Sequence, residues 1–136
     1  MLRQLALSID DARKIAAAAR AEAERNSWNV VIAIVDDGGH LMYLERMDGT
    51  QKASSVVAQE KARTAILFKR PSAAFEQVVS GGRVAVMSLP GATTVEGGLP
   101  IIVENQFVGA IGVSGVHSSQ DGQIAKAGVE ALAAQG

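Results

Sequence analysis

The run VVIAIV at residues 30–35 constrains this chain more than any other stretch. It is apolar at successive positions, so the strand it forms must be covered on both faces. It halts at Asp36-Asp37-Gly38-Gly39, and a second run, LMYLER, resumes at residues 41–46. A Gly-rich, Asp-led turn between two such runs predicts a β-hairpin. Glycine accounts for the turn. It does not account for Asp36, Asp37, His40, Arg46 and Asp48 crowding the same hairpin.

The rest of the chain supplies the cover. In SIDDARKIAAAARAEAERN, Ser8 with Asp11 makes a capping box, and Ala12, Ile15, Ala16, Ala19 and Ala23 recur at helical spacing. A second helix is predicted from Ser54 to Phe68, ending before Lys69-Arg70-Pro71 because the residue before proline disfavours the α region. Residues 72–79 predict a short helical turn. Strands are expected at 84–88 and 100–103, and a last strand in FVGAIGVSG, where Val108, Ala110, Gly112 and Ser114 share a nearly bare face. Glycine inside a strand signals close approach of a backbone or a ligand. A final helix follows Ser118, capped by it with Asp121 at the third position, and runs to about Ala134. The order predicts one α+β domain over 1–136, an antiparallel sheet between helical layers.

Composition removes several function classes. Thirteen basic side chains against fourteen acidic give a net charge of −1 with no block of either sign, so no nucleic-acid footprint exists. The absence of cysteine excludes disulfides, thiolate catalysis, Cys-ligated zinc and iron–sulfur clusters, and fits a reducing cytoplasm. No stretch reaches membrane-spanning length, so the expected partner is a small molecule rather than a nucleic acid or a membrane.

Among residues that carry chemistry, His40 is a candidate iron ligand or general acid/base, against the plainer role of a turn residue hydrogen-bonded to Asp36 or Asp37. His117 sits just before the last helix, where backbone N–H groups suit a carboxylate or phosphate. Arg46 offers a planar fork for carboxylates, or pairs with Asp48 to brace the turn. Lys61 lies beside an apolar helical stripe, facing a pocket or snorkelling to water. Gly97 and Gly98, in EGGLPII, let a flat ligand lie on the backbone or form a bulge. No GxxxxGK[ST], HExxH or GxSxG motif is present.

The segments VVIAIVDDGGHLMYLERMDG (30–49), SSVVAQEKARTA (54–65), EGGLPII (96–102) and VGAIGVSG with QDGQIAKAG (108–128) resemble the GlcG/HbpS family in order and spacing. That family is also described as a haem-degrading-type domain and forms the C-terminal part of PduO-like proteins. The resemblance implies a profilin-like five-stranded antiparallel sheet flanked by helices in three layers. It also implies a homo-oligomer, from a dimer up to an octamer, and haem or a related tetrapyrrole as ligand. Carried over residue by residue, it singles out His40, Arg46, Asp48, Lys61, Gly97, Gly98, Pro100 and the segment around Ser114. His117 stands where the family has a Gly- or Pro-rich loop.

Two functions follow as expectations. In one, His40 or His117 ligates haem iron and Arg46 or Lys61 pairs with propionates, for sequestration, redox sensing or degradation. In the other, the chain is an isomerase, tautomerase or lyase acting on a small organic acid, with His40 moving a proton while Arg46 and Lys61 hold the carboxylate. Both require the hairpin rim, the diglycine segment and the entry to the last helix to line one cavity.

Overall fold

The computed structural model describes residues 1–133. The elements run α1 (Ile9–Arg25), β1 (Val31–Asp36), β2 (Leu41–Arg46), α2 (Ser54–Leu67), α3 (Ser72–Ser80), a 3-10 turn (Val84–Ser88), β3 (Gly98–Val103), β4 (Gln106–Ser114) and α4 (Ser118–Ala133). The sheet has the order β2-β1-β4-β3, with every neighbouring pair antiparallel. Ala134, the expected end of the last helix, lies outside the described residues.

β1 is buried because it lies between two strands and two helical layers. Val30, Ile32 and Ile34 join Ile15, Ala19, Ile111 and Ile124 in the core beneath α1 and α4. Val31, Ala33 and Val35 point the other way, to Ala58, Ala62 and Ala65 of α2. Each fully buried valine or isoleucine contributes about 1.5–3 kcal/mol of burial free energy, and β1 supplies such residues to both cores.

α1 forms as its stripe requires. Ser8 Oγ accepts from the Asp11 N–H at 3.0 Å, while Asp11 accepts from the Ser8 N–H at 3.1 Å. α4 departs from expectation. Its first turn begins at Ser118, so His117 is the residue before it, and the Gln120 side chain accepts from the His117 N–H at 3.3 Å. Ser118 is not the cap, and Asp121 is turned to another task.

Four strands form among the described residues, not five. Residues 84–88, expected as a strand, wind into a 3-10 turn in which the Leu89 N–H donates to Val86 O. Of these apolar residues only Val86 is buried, and short apolar runs carry no periodicity that separates strand from helix. A second correction concerns Val108, which belongs to the α1–α4 core rather than to the face of Ala110 and Ser114. The β3–β4 ladder slips between Ile101, opposite Gly109, and Ile102, opposite Phe107. Val108 is therefore the extra residue of a bulge, which turns its side chain over.

The bare face of β4 is occupied by helix backbone. A Cβ on Gly112 would stand 1.9 Å from the Ala58 carbonyl oxygen, and one on Gly98 would stand 2.1 Å from that of Lys61. α2 thus lies directly on β3 and β4 at positions where no side chain fits. No described helix is long and apolar enough to cross a membrane. Gly112→Ala is expected to lower stability by at least ~1–3 kcal/mol, read as a drop in the denaturation midpoint at unchanged m-value. An unchanged midpoint would mean that α2 is not seated on β4 in this way.

Candidate functional site

The β1–β2 turn holds its histidine through one carboxylate. Asp36 Oδ1 accepts from the backbone N–H groups of Gly38 and His40, each at 2.9 Å. It also lies 3.1 Å from Nδ1 of the His40 ring. Burial pushes the Asp36 carboxyl up, but the His40 and Gly38 N–H groups and the imidazole together hold it below the ordinary aspartate value. An ionised carboxylate only accepts, so Nδ1 is the donor of this contact, and in the neutral ring that leaves the lone pair on Nε2. The ring is 80% exposed and Nε2 has no hydrogen-bond partner among the described residues. Gly38 makes room for this pose, since a Cβ there would lie 2.7 Å from His40 Cε1.

Lys61 has a different fate. It is 2% exposed, and its Nζ donates to Asp121 Oδ2 and to Val113 O, each at 3.0 Å. The side chain leaves α2, passes Gly97 and meets α4, which belongs to the opposite layer. Gly97 is required twice: its φ of +136° disfavours other residues, and a Cβ would stand 2.8 Å from Lys61 Nζ. Asp121 also accepts from the Val116 N–H at 3.2 Å. Burial raises the Asp121 carboxyl, against the pull of the Lys61 ammonium and the backbone donors. The lysine neither snorkels nor faces a cavity. Its partner escapes notice in the sequence because an aspartate in a first helical turn looks like a cap; an acid is nonetheless what a lysine in an apolar stripe demands.

The remaining candidates divide between the two ends of the sheet. Arg46 is opposite Val31, which is opposite Ser114, and His117 follows close after. Ser114 is buried, with its Oγ 3.1 Å from Ser54 Oγ. Arg46 and Asp48 are exposed and form no ion pair among the described residues. His40 stands at the other end, beyond the row Asp36–Gly109, a strand length of roughly 17 Å from Arg46. Pro100 lies nearer the His40 end, opposite Ala110, which pairs with Val35 one row in from Asp36–Gly109. The two histidines cannot share a metal, and no group of three or more potential ligands occurs among the described residues.

Neither of two cavities among the described residues joins the three segments as expected. One cavity, about 540 Å³, is walled by Leu5, Leu7, Ile101, Val103, Val129 and Leu132. Another, about 460 Å³, opens beside the β1–β2 turn with Asp37 on its rim. His40, Arg46, Lys61, Gly97, Gly98 and His117 line neither. Sequence reasoning also missed Arg63, whose side chain lies against Gly39 in the His40 turn.

Two measurements check this geometry. Lys61→Ala strands a buried carboxylate and is expected to cost about 3–5 kcal/mol, whereas Lys61→Met with Asp121→Asn costs much less; equal losses would show that the charges do not pair. Asp36, with its folded value lowered, stabilises the turn above the unfolded value of about 3.9, and that stability is lost as pH falls through the lower folded value. Protection of the Gly38 and His40 amides, taken relative to intrinsic exchange, should therefore fall in wild type as pH drops from ~3.9 through the lower folded value, and show no such step in Asp36→Asn.

Comparison with known proteins agrees with this architecture. Residues 7–130 match the family model described as haem degrading protein HbpS-like. The chain is 45% identical to the protein GlcG of Escherichia coli strain K12 over 114 residues, 84% of this chain and 85% of that one. It superposes on a double-mutant form of Streptomyces reticuli HbpS with a TM-score of 0.88 at 29% identity, covering 97% of this chain and 90% of the other. It also superposes on PduOC in its haem complex with a TM-score of 0.84 at 30% identity, covering 93% and 95%. A four-stranded antiparallel sheet between helical layers, joined to a family match over nearly its whole length, makes this chain a member of the HbpS-like family.

Proposed function

We propose that this protein binds haem or a related tetrapyrrole, with His40 Nε2 as the iron ligand. The observation that carries the reading is the Asp36–His40 pair. A ligating histidine needs its second nitrogen held by a carboxylate or carbonyl, which fixes the tautomer and raises the basicity of the free nitrogen. Asp36 meets that need at 3.1 Å, so the donor set fits the group. The matched family description and the haem complex of PduOC support the same ligand. Bound haem would supply a redox-active iron, suited to sequestration, redox sensing or haem degradation. Asp36 orients the ring and stabilises positive charge on it, and Gly38 keeps the ring's position open. Arg63, beside the turn, is better placed than Arg46 to meet a propionate.

The reading as an isomerase, tautomerase or lyase asks His40, Arg46 and Lys61 to act on one organic acid. Their separation along the sheet and the engagement of Lys61 with Asp121 weigh against it. Self-association belongs to the proposal, supported by Val84, Met87 and Leu89, which the 3-10 turn and its exit expose.

Hemin titration followed in the Soret region tests the proposal. Wild type is expected to give a saturable, stoichiometric shift, His40→Ala to abolish it, and Asp36→Asn to weaken binding about 10- to 100-fold. His117→Ala should bind as wild type. A wild type without the shift, or a His40→Ala variant that keeps it, removes this assignment. Sedimentation of the same samples as a monomer removes the self-association.

A further inference from the structure

The cleft of about 460 Å³ beside the β1–β2 turn has a composition of its own. Asp37 of the turn, Ile66 and Lys69 at the end of α2, and Phe107 after the β3–β4 turn form three of its sides. The segment Leu2–Gln4 closes the fourth. That segment is tethered by the Leu5 N–H, which donates to Gln106 Oε1 at 2.7 Å. The volume lies in the range of small-molecule sites. Phe107, Ile66 and Leu2 give an apolar wall, Lys69 and Arg3 bring two cations, and Asp37 is the one acidic lining residue. Lys69 Nζ stands 5.5 Å from the centre of the Phe107 ring, so a positive charge and a flat apolar surface are presented together.

A second observation concerns the backbone. Lys69 follows the end of α2 with φ +54°, the left-handed position where helices most often place glycine. A lysine is strained there, as any residue with a Cβ would be. The chain therefore keeps a cation where local conformation favours glycine, and that cation lines a concave surface. Strain held at such a place points to function.

We propose that this cleft binds a carboxylate carried on a flat apolar body. Lys69 and Arg3 pair with the carboxylate, and Phe107 and Ile66 cover the body. The inference deepens the haem reading, since a tetrapyrrole propionate has this chemistry, but a free aromatic acid has it too.

Metal-free protoporphyrin IX, titrated into the full chain and followed by fluorescence, tests the cleft without iron. The free acid is expected to bind at least about tenfold more tightly than its dimethyl ester. Lys69→Met and Lys69→Gly should each erase about tenfold of the acid's affinity, while Lys126→Met on α4 changes nothing. Lys69→Gly should keep or raise Tm, which separates a lost contact from a lost fold. Equal binding of acid and ester, or full affinity in both Lys69 variants, overturns the proposal. Benzoate that displaces the porphyrin assigns the site to free aromatic acids, and failure to displace assigns it to a propionate. If hemin gives no iron ligation while acid and ester are still distinguished, the cleft stands and the haem reading falls; the reverse result removes the cleft alone.

Discussion

The architecture depends on how closely α2 lies on the sheet. The Ala58 and Lys61 carbonyl oxygens occupy the space that a Cβ would take at Gly112 and Gly98. Two glycines on neighbouring strands, paired in register, make a shallow seat for one helix. Helix and sheet approach more closely than side chains would permit, and the gain in packing offsets the entropy that strand glycines lose on folding. Alanines 58, 62 and 65 continue the same strategy along the helix.

That seat also decides what Lys61 can be. With no side chain at Gly97, the lysine passes from one helical layer to the other and ends on Asp121. A buried ion pair of this kind adds little net stability against an apolar pair of the same shape, yet losing one partner is costly. It ties the first turn of α4 to α2 across the sheet. The end of the sheet near Ser114 and Asp121 is thereby filled with satisfied polar contacts; no buried side-chain nitrogen or oxygen lacks a partner among the described residues. The opposite end is different. There an imidazole nitrogen has no partner among the described residues, a lysine sits in a strained cap, and a cleft opens between two hairpin turns.

The sheet's two ends explain which parts of the site were legible beforehand. His40 and Asp36 are four residues apart in one tight turn, so local chemistry brings them together whatever the rest of the chain does. Ser8 with Asp11 is legible for the same reason. Lys61 and Asp121 are sixty residues apart, and no local rule connects them. Arg46 and His40, close in sequence and joined in expectation, are separated because β2 is extended and carries them to opposite ends. The cleft draws on four segments from Leu2 to Phe107, which only the packed fold assembles.

The sequence by itself determined the layers: a doubly apolar strand, amphipathic helices on either side, glycines where backbones meet, and an Asp-capped histidine at the first turn. These are properties of period and of near neighbours, and they survive without knowledge of any distant contact. Only the tertiary structure decided that residues 84–88 wind rather than extend, that Val108 turns over in a bulge, and that Lys61 is buried rather than free. Each depends on what stands opposite in space: the absence of a partner strand, a slip in a ladder, a carboxylate arriving from another layer.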